Sequence, residues 1–239
     1  MNNNLLDRLL SFLAFLAAGI VLAMVVGILA THASQDFFQS ARAINELTAK
    51  IAENPGNDFG YRLNLGLDNL LIVVYGTFFV LLAAKFRESI DPIIVNVGLG
   101  AMLLTVFLDI IENHNIMMML HSIERGLPFD SEHSSLQMIV SSVKFHCSYI
   151  GLVLFSVGYW KQGSLGKLIG GLLAFGYVPL GILIMALPVE AVKPVALARV
   201  CFFVLAFVLS GTLFKRLANN ATQKNVGESG NLKVKPQPN

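Results

Sequence analysis

Six stretches of about 20 mostly apolar residues dominate the chain, at residues 9–30, 65–84, 92–111, 136–159, 168–187 and 195–214. Each is long enough for a helix to cross a hydrocarbon core of about 30 Å. Lipid accepts only helices or closed barrels, because every backbone N–H and C=O must be satisfied within the protein. The expected architecture is therefore all-α: one polytopic transmembrane bundle over residues 1–218, with six spanning helices. Composition closes off the alternatives. Hydrophobic residues make up 55 % of the 239 and charged residues only 13 %, about half the ~25 % of a soluble domain. Mean hydropathy is +0.66. A soluble protein of this size lacks the interior to hide so much apolar surface, so a soluble domain, a coiled coil and a disordered chain are excluded. The net charge of +2 and the lack of a basic cluster argue against nucleic acid as a partner. Cys147 and Cys201 do not make a disulfide framework.

The first apolar run has a second reading, as a signal peptide cleaved near Thr31–Ala33. At about 22 residues it is longer than a typical h-region, and Arg8 before it is offset by Asp7. A retained helix is the expectation. Orientation follows from Lys and Arg. With the N terminus inside, Arg8, Lys85, Arg87, Lys161, Lys167, Lys215, Arg216, Lys224, Lys233 and Lys235 lie on the inner side, against Arg42, Lys50, Arg62, Arg125 and Lys193 outside. Both termini are expected in the cytoplasm. Tyr159, Trp160 and Lys161 read as an inner interfacial anchor.

Residues 35–53 carry Phe37, Ala41, Ile44, Thr48 and Ile51 on one helical face, with Arg42, Glu46, Lys50 and Glu53 on the others. This predicts an outer amphipathic helix on the membrane surface or over the bundle, with a loosely packed loop helix as the alternative. Helix three is expected to continue to Arg125, ended by Gly126 and Pro128, and Ser134 with Gln137 resembles a capping box for helix four. Residues 219–239 are polar and are expected to form a disordered cytoplasmic tail. Gly166 and Gly170 form a small-xxx-small packing pair.

A charge inside a span costs at least ~2.5 kcal/mol on the insertion scale, so each needs a reason. Asp68, Asp109, Lys144 and Arg199 lie on four different helices. At a rise of about 1.5 Å per residue they all come out about 24–25 Å above the inner ends of those helices. Asp109, Glu112 and Asn113 share one face of helix three at i, i+3, i+4, and Lys144 continues a stripe with Gln137, Ser141 and Ser148. Opposite charges in a low dielectric meet or neutralise, so Lys144 and Arg199 are expected within ion-pair reach of at least two of Asp68, Asp109 and Glu112. An outward-opening polar chamber is the simplest geometry, and salt bridges that only fix helix order are the alternative. Tyr75 and Tyr177 fall about one layer deeper, where their hydroxyls would floor the chamber. Pro179 is expected to kink helix five.

All five histidines, His32, His114, His121, His133 and His146, fall toward the outer side, but no H-E-x-x-H and no i, i+4 pair occurs. No metal and no cofactor is expected, and Met117–Met119 read as packing rather than as soft ligands. His146, beside Lys144 and the acids, is a candidate proton-responsive group. The candidate cluster is thus Asp68, Tyr75, Asp109, Glu112, Asn113, Lys144, His146 and Arg199.

Asp68-Asn69 followed by Tyr75, then Asp109-x-x-Glu112-Asn113 late in the next helix, is similar to a group of small bacterial multi-pass membrane proteins of unknown function, over about residues 61–158. The resemblance implies a bacterial inner-membrane location and no activity. Three functions stay open. The first is binding or transport of a small polar solute or ion. The second is a non-catalytic accessory or sensor role. The third is an intramembrane enzyme acting on a lipid-type substrate. The lipid bilayer is the partner that the chemistry requires, with a homodimer or another membrane protein as a further one.

Overall fold

The computed structural model describes residues 3–31, 58–126, 131–187 and 189–231. The amphipathic helix expected at 35–53, the candidate cleavage site and the last residues of the tail lie outside these. Among the described residues the chain is helical throughout, with short turns and no strand. The elements are α1 (Asn3–Thr31), α2 (Asp58–Phe86), α3 (Pro92–Glu124), α4 (Ser131–Trp160), α5 (Gly163–Gly171), a π-helical segment (Leu172–Tyr177), α6 (Val178–Ala186) and α7 (Val189–Asn231). The π segment joins α5 and α6 into one rod, so six helices are long and apolar enough to cross a membrane. The chain is an all-α, multi-pass bundle.

Local chemistry sets the ends. Asp91 caps α3, its carboxylate accepting from Ile93 N at 2.7 Å, and Pro92 stands in the first turn where no N–H is needed. Gly126, at φ 63°, ends it after Glu124. Just before Pro179 the helix takes a π turn, in which Val178 N–H reaches back to Leu173 O.

Helix α1 lies against α2 and α7, α3 packs along α4, and α2 bridges the two pairs through α3. Two close approaches fix the α3–α4 seam. A Cβ on Gly98 would meet Leu154 Cβ at 3.2 Å, and one on Gly151 would collide with Met102. Small residues of this kind let membrane helices touch at backbone distance. Gly166 and Gly170 do the same where α5 folds back on the end of α4, against Tyr159, Ser156 and Trp160.

The centre is aromatic. Phe78 meets Phe79 and Phe207 edge-on at 5.4 Å each, and Phe86 meets Tyr159 at 5.1 Å. Tyr159 therefore is not an interfacial anchor: it is buried and shares a 2.8 Å hydrogen bond with Ser210 of α7. Trp160 does face outward, stacked on Phe175. Large apolar side chains such as Phe12, Val26, Val73, Phe107 and Phe175 are exposed around the perimeter, a distribution suited to lipid and a liability in water.

Two boundaries differ from expectation. Helix α1 starts at Asn3, which brings Asp7 inside the helix. Helix α7 continues to Asn231, so residues 219–231 are helical rather than disordered. Thr222 explains the second in part. Its hydroxyl accepts from Asn4 Nδ2 at 2.9 Å and from Arg8 at 3.4 Å, tying the extension to α1.

Candidate functional site

The i, i+3, i+4 spacing on α3 aims Asp109, Glu112 and Asn113 at its two neighbours, α2 and α4. From α4 comes Lys144, with Ser141 and Gln137 one and two turns before it. Lys144 Nζ lies 2.7 Å from Asp109 Oδ1 and also pairs with Glu112 Oε2. Glu112 is buried and accepts from Gln137 Nε2 at 3.0 Å and from the Ser141 hydroxyl. Gln137 accepts in turn from Asn115 at 2.8 Å. From α2, the Tyr75 hydroxyl donates to Asp109 Oδ2. Asn113 donates to Asp68 Oδ2 at 2.8 Å and to Asn69 Oδ1 at 3.2 Å. One network, from Tyr75 through Asp109, Lys144 and Glu112 to Gln137 and Asn115, thus joins the three helices, and Asn113 ties Asp68 and Asn69 to α3 beside it.

Its charges do not balance. Among the described residues, three carboxylates stand together and one ammonium joins them. Asp68 is half-buried and forms no ion pair with a described residue; its charged neighbours include Asp109 and Glu112 as well as Lys144. Toward the Glu124 end, a small apolar cluster of Tyr61, Leu65, Ile116, Met119, Leu120 and Ile123 covers the network. Beyond it Arg62 binds Asp58 at 2.5 Å and Glu124 at 2.6 Å, clamping α2 to α3. On the other side, Tyr75 rests on the aromatic centre through Phe79.

The sequence reading is corrected at four points. Arg199 pairs with none of Asp68, Asp109 and Glu112; it lies over the Phe145 ring, 4.6 Å from the centroid. His146 points outward, away from the acids, its Nδ1 2.7 Å from Ser142 O. Ser148, on the same face as Lys144, donates to Phe145 O at 2.8 Å instead of to the acids. Where an open chamber is expected, Lys144 and two of the acids contact one another directly. An open groove of about 410 Å³ between α3 and α4 is lined by Ile110, Ile111, His114, Asn115, Met118, Leu136 and Val140. An apolar void of about 20 Å³ sits between Phe78, Phe79, Leu152, Phe203 and Phe207. Neither is lined by a charged member of the network. Tyr177 is buried against Phe203, with ring centroids 5.6 Å apart, while Tyr75 alone of the two tyrosines donates into the network.

A second charged site was missed. Asp7 of α1 is buried and lies 2.9 Å from Lys85 Nζ at the end of α2. Both had been read as flanking charges in water. The available signal was topological: antiparallel first and second helices bring the start of one level with the end of the other. Among the described residues, no three His, Cys, Asp or Glu side chains converge as metal ligands. His114 and His121 are exposed, and both cysteines are free. No protein-family model matches the chain, and neither a curated protein nor a solved structure matches it significantly.

Proposed function

We propose that this is a multi-pass protein of a bacterial inner membrane, with both termini cytoplasmic, that binds a proton or a small cation at Asp68, Asp109, Glu112 and Lys144. One observation carries the reading: among the described residues, Asp109 and Glu112 share the single ammonium of Lys144, and Asp68 beside them has no ion pair. An ionised carboxylate without a counter-charge is costly at this depth. Proton or cation uptake at Asp68 removes that cost. Asn113 and Asn69 hold polar atoms beside it, and Lys144 keeps the other two acids occupied. The ten-to-five Lys and Arg bias supports an outer position for this end.

The aromatic packing beneath Tyr75 favours binding over a continuous path through the bundle, and so supports a sensor or accessory role as the second reading. Purified protein in nanodiscs, melted in sodium, potassium, lithium and across a pH series, tests the binding itself. The wild type is expected to show an ion- or pH-dependent Tm that Asp68→Asn flattens. Identical responses of the two proteins would reduce the cluster to a fastener. Proteoliposomes with a pH-sensitive dye separate the readings: proton or cation flux above empty vesicles supports transport, and binding without flux supports sensing. Reporters fused after residue 53 and at the C terminus are expected on opposite sides of the membrane.

A further inference from the structure

Arg199 is a permanent cation within the membrane-length part of α7, Pro194–Gln223. Among the described residues no carboxylate pairs with it. Its side chain covers the face of Phe145, and its charge lies within electrostatic reach of the Tyr149 and Tyr177 hydroxyls. Tyr149 stands one turn beyond Phe145 on α4, its ring stacked on that of Phe145 at 6.3 Å. Tyr149 is only 5 % exposed, and its hydroxyl is buried without a hydrogen-bond partner. That hydroxyl lies against the bare backbone of Gly181 on α6, where any Cβ would collide with it. The neighbouring cation, Lys144, is already engaged by two acids.

The phenol oxygen of Tyr149 can thus face the guanidinium as an acceptor, while its own O–H proton and the rest of the guanidinium fork have no carboxylate to meet among the described residues. A buried donor left unmade is costly, the more so beside a charge. An oxyanion satisfies both: it takes the charge-assisted fork of the arginine and the phenolic O–H together.

We propose that Arg199 and Tyr149 form a subsite for an oxyanion, a phosphate or carboxylate group, where α4, α6 and α7 meet. Arg199 stands five residues into its span, about 8 Å along the helix, a depth that a lipid phosphate or the anionic group of a solute reaches from the same end. The subsite uses none of the acids assigned to cation binding, so it stands or falls apart from that reading.

The test compares the Tm of the purified protein in phosphatidylcholine nanodiscs, in nanodiscs containing phosphatidylglycerol, and in detergent with inorganic phosphate or acetate replacing chloride. The wild type is expected to be stabilised by at least one anion source. Stabilisation by phosphatidylglycerol alone assigns a lipid headgroup; stabilisation by phosphate or acetate assigns a soluble anion. Arg199→Gln is expected to weaken the apparent affinity by about tenfold or more, as loss of a charge-assisted fork should. Tyr149→Phe should weaken it several-fold while leaving the ligand-free Tm unchanged or higher, because it removes a hydroxyl that has no partner. No shift from either anion source in the wild type, or a full shift retained in Arg199→Gln, overturns the proposal. Should Arg199→Gln fail to fold, Tyr149→Phe decides: an undiminished anion shift overturns it.

Discussion

Helix α2 carries a buried charge site at each end, and the two differ in balance. Near its C-terminal end, Lys85 meets Asp7 alone, with side chains 13 % and 5 % exposed. Near its N-terminal end, Asp68 belongs to a network in which Lys144, 12 % exposed, serves Asp109 at 14 % and Glu112 at 5 %. Burial is the same at both sites, so burial does not separate a fastener from a working site. Stoichiometry does. One acid against one base is balanced in charge. Three acids against one base leave a carboxylate without a counter-charge among the described residues, and the proposed ion or proton binding rests on it.

The largest test of this contrast removes the shared cation. Lys144→Met leaves two buried carboxylates facing each other, and is expected to cost about 4 kcal/mol, within the usual range for breaking a buried pair from one side. Loss of folded yield on size exclusion, or a much lower denaturation midpoint, measures it. Adding Glu112→Gln should restore only part, because Asp109 stays unpaired.

Lys85→Met is expected to cost about 3 kcal/mol by the same mechanism, but here Asp7→Asn should restore nearly all of it. Equal rescue at the two sites would erase the difference in balance. Tyr75→Phe comes next. It removes one donor to Asp109 and should cost about 1–2 kcal/mol in thermal unfolding, as for a hydrogen bond to a charged acceptor. Asp68→Asn is expected to change stability least, within about 1 kcal/mol, while abolishing ion dependence. A large loss of stability from it would mean that Asp68 is structural, and the reserve carboxylate would be gone.

The Lys144–Asp109–Glu112 pairing was legible before any coordinates. In hydrocarbon a charge has no water to turn to, so shared depth on adjacent helices is close to a contact list. The same logic failed for Arg199. Depth says how high a side chain sits, not which way its helix is turned. The rotation of α7 puts the guanidinium on Phe145 instead of on an acid. His146 failed for the same reason: it is two residues from Lys144, and two residues along a helix turn a side chain to the far face. Asp7 was lost through a boundary. Six residues of helix before the apolar run were enough to carry it from the expected water into the bundle.

What the sequence determined by itself was therefore set by the solvent: the all-α class, the six crossings, and the need for each intramembrane acid to find a partner. Backbone groups and charges in lipid have few acceptable states, and those states can be read residue by residue. What the tertiary structure decided was rotation and fit: that Lys144 meets Asp109 and Glu112 directly, that α1 and α7 close the bundle through Ser11 and the Gly211 carbonyl at 2.8 Å, and that one arginine stands apart. Lipid is nearly as apolar as the faces that it competes with, so helix rotation is settled by side-chain packing and by polar contacts between helices, and neither is written along a single chain.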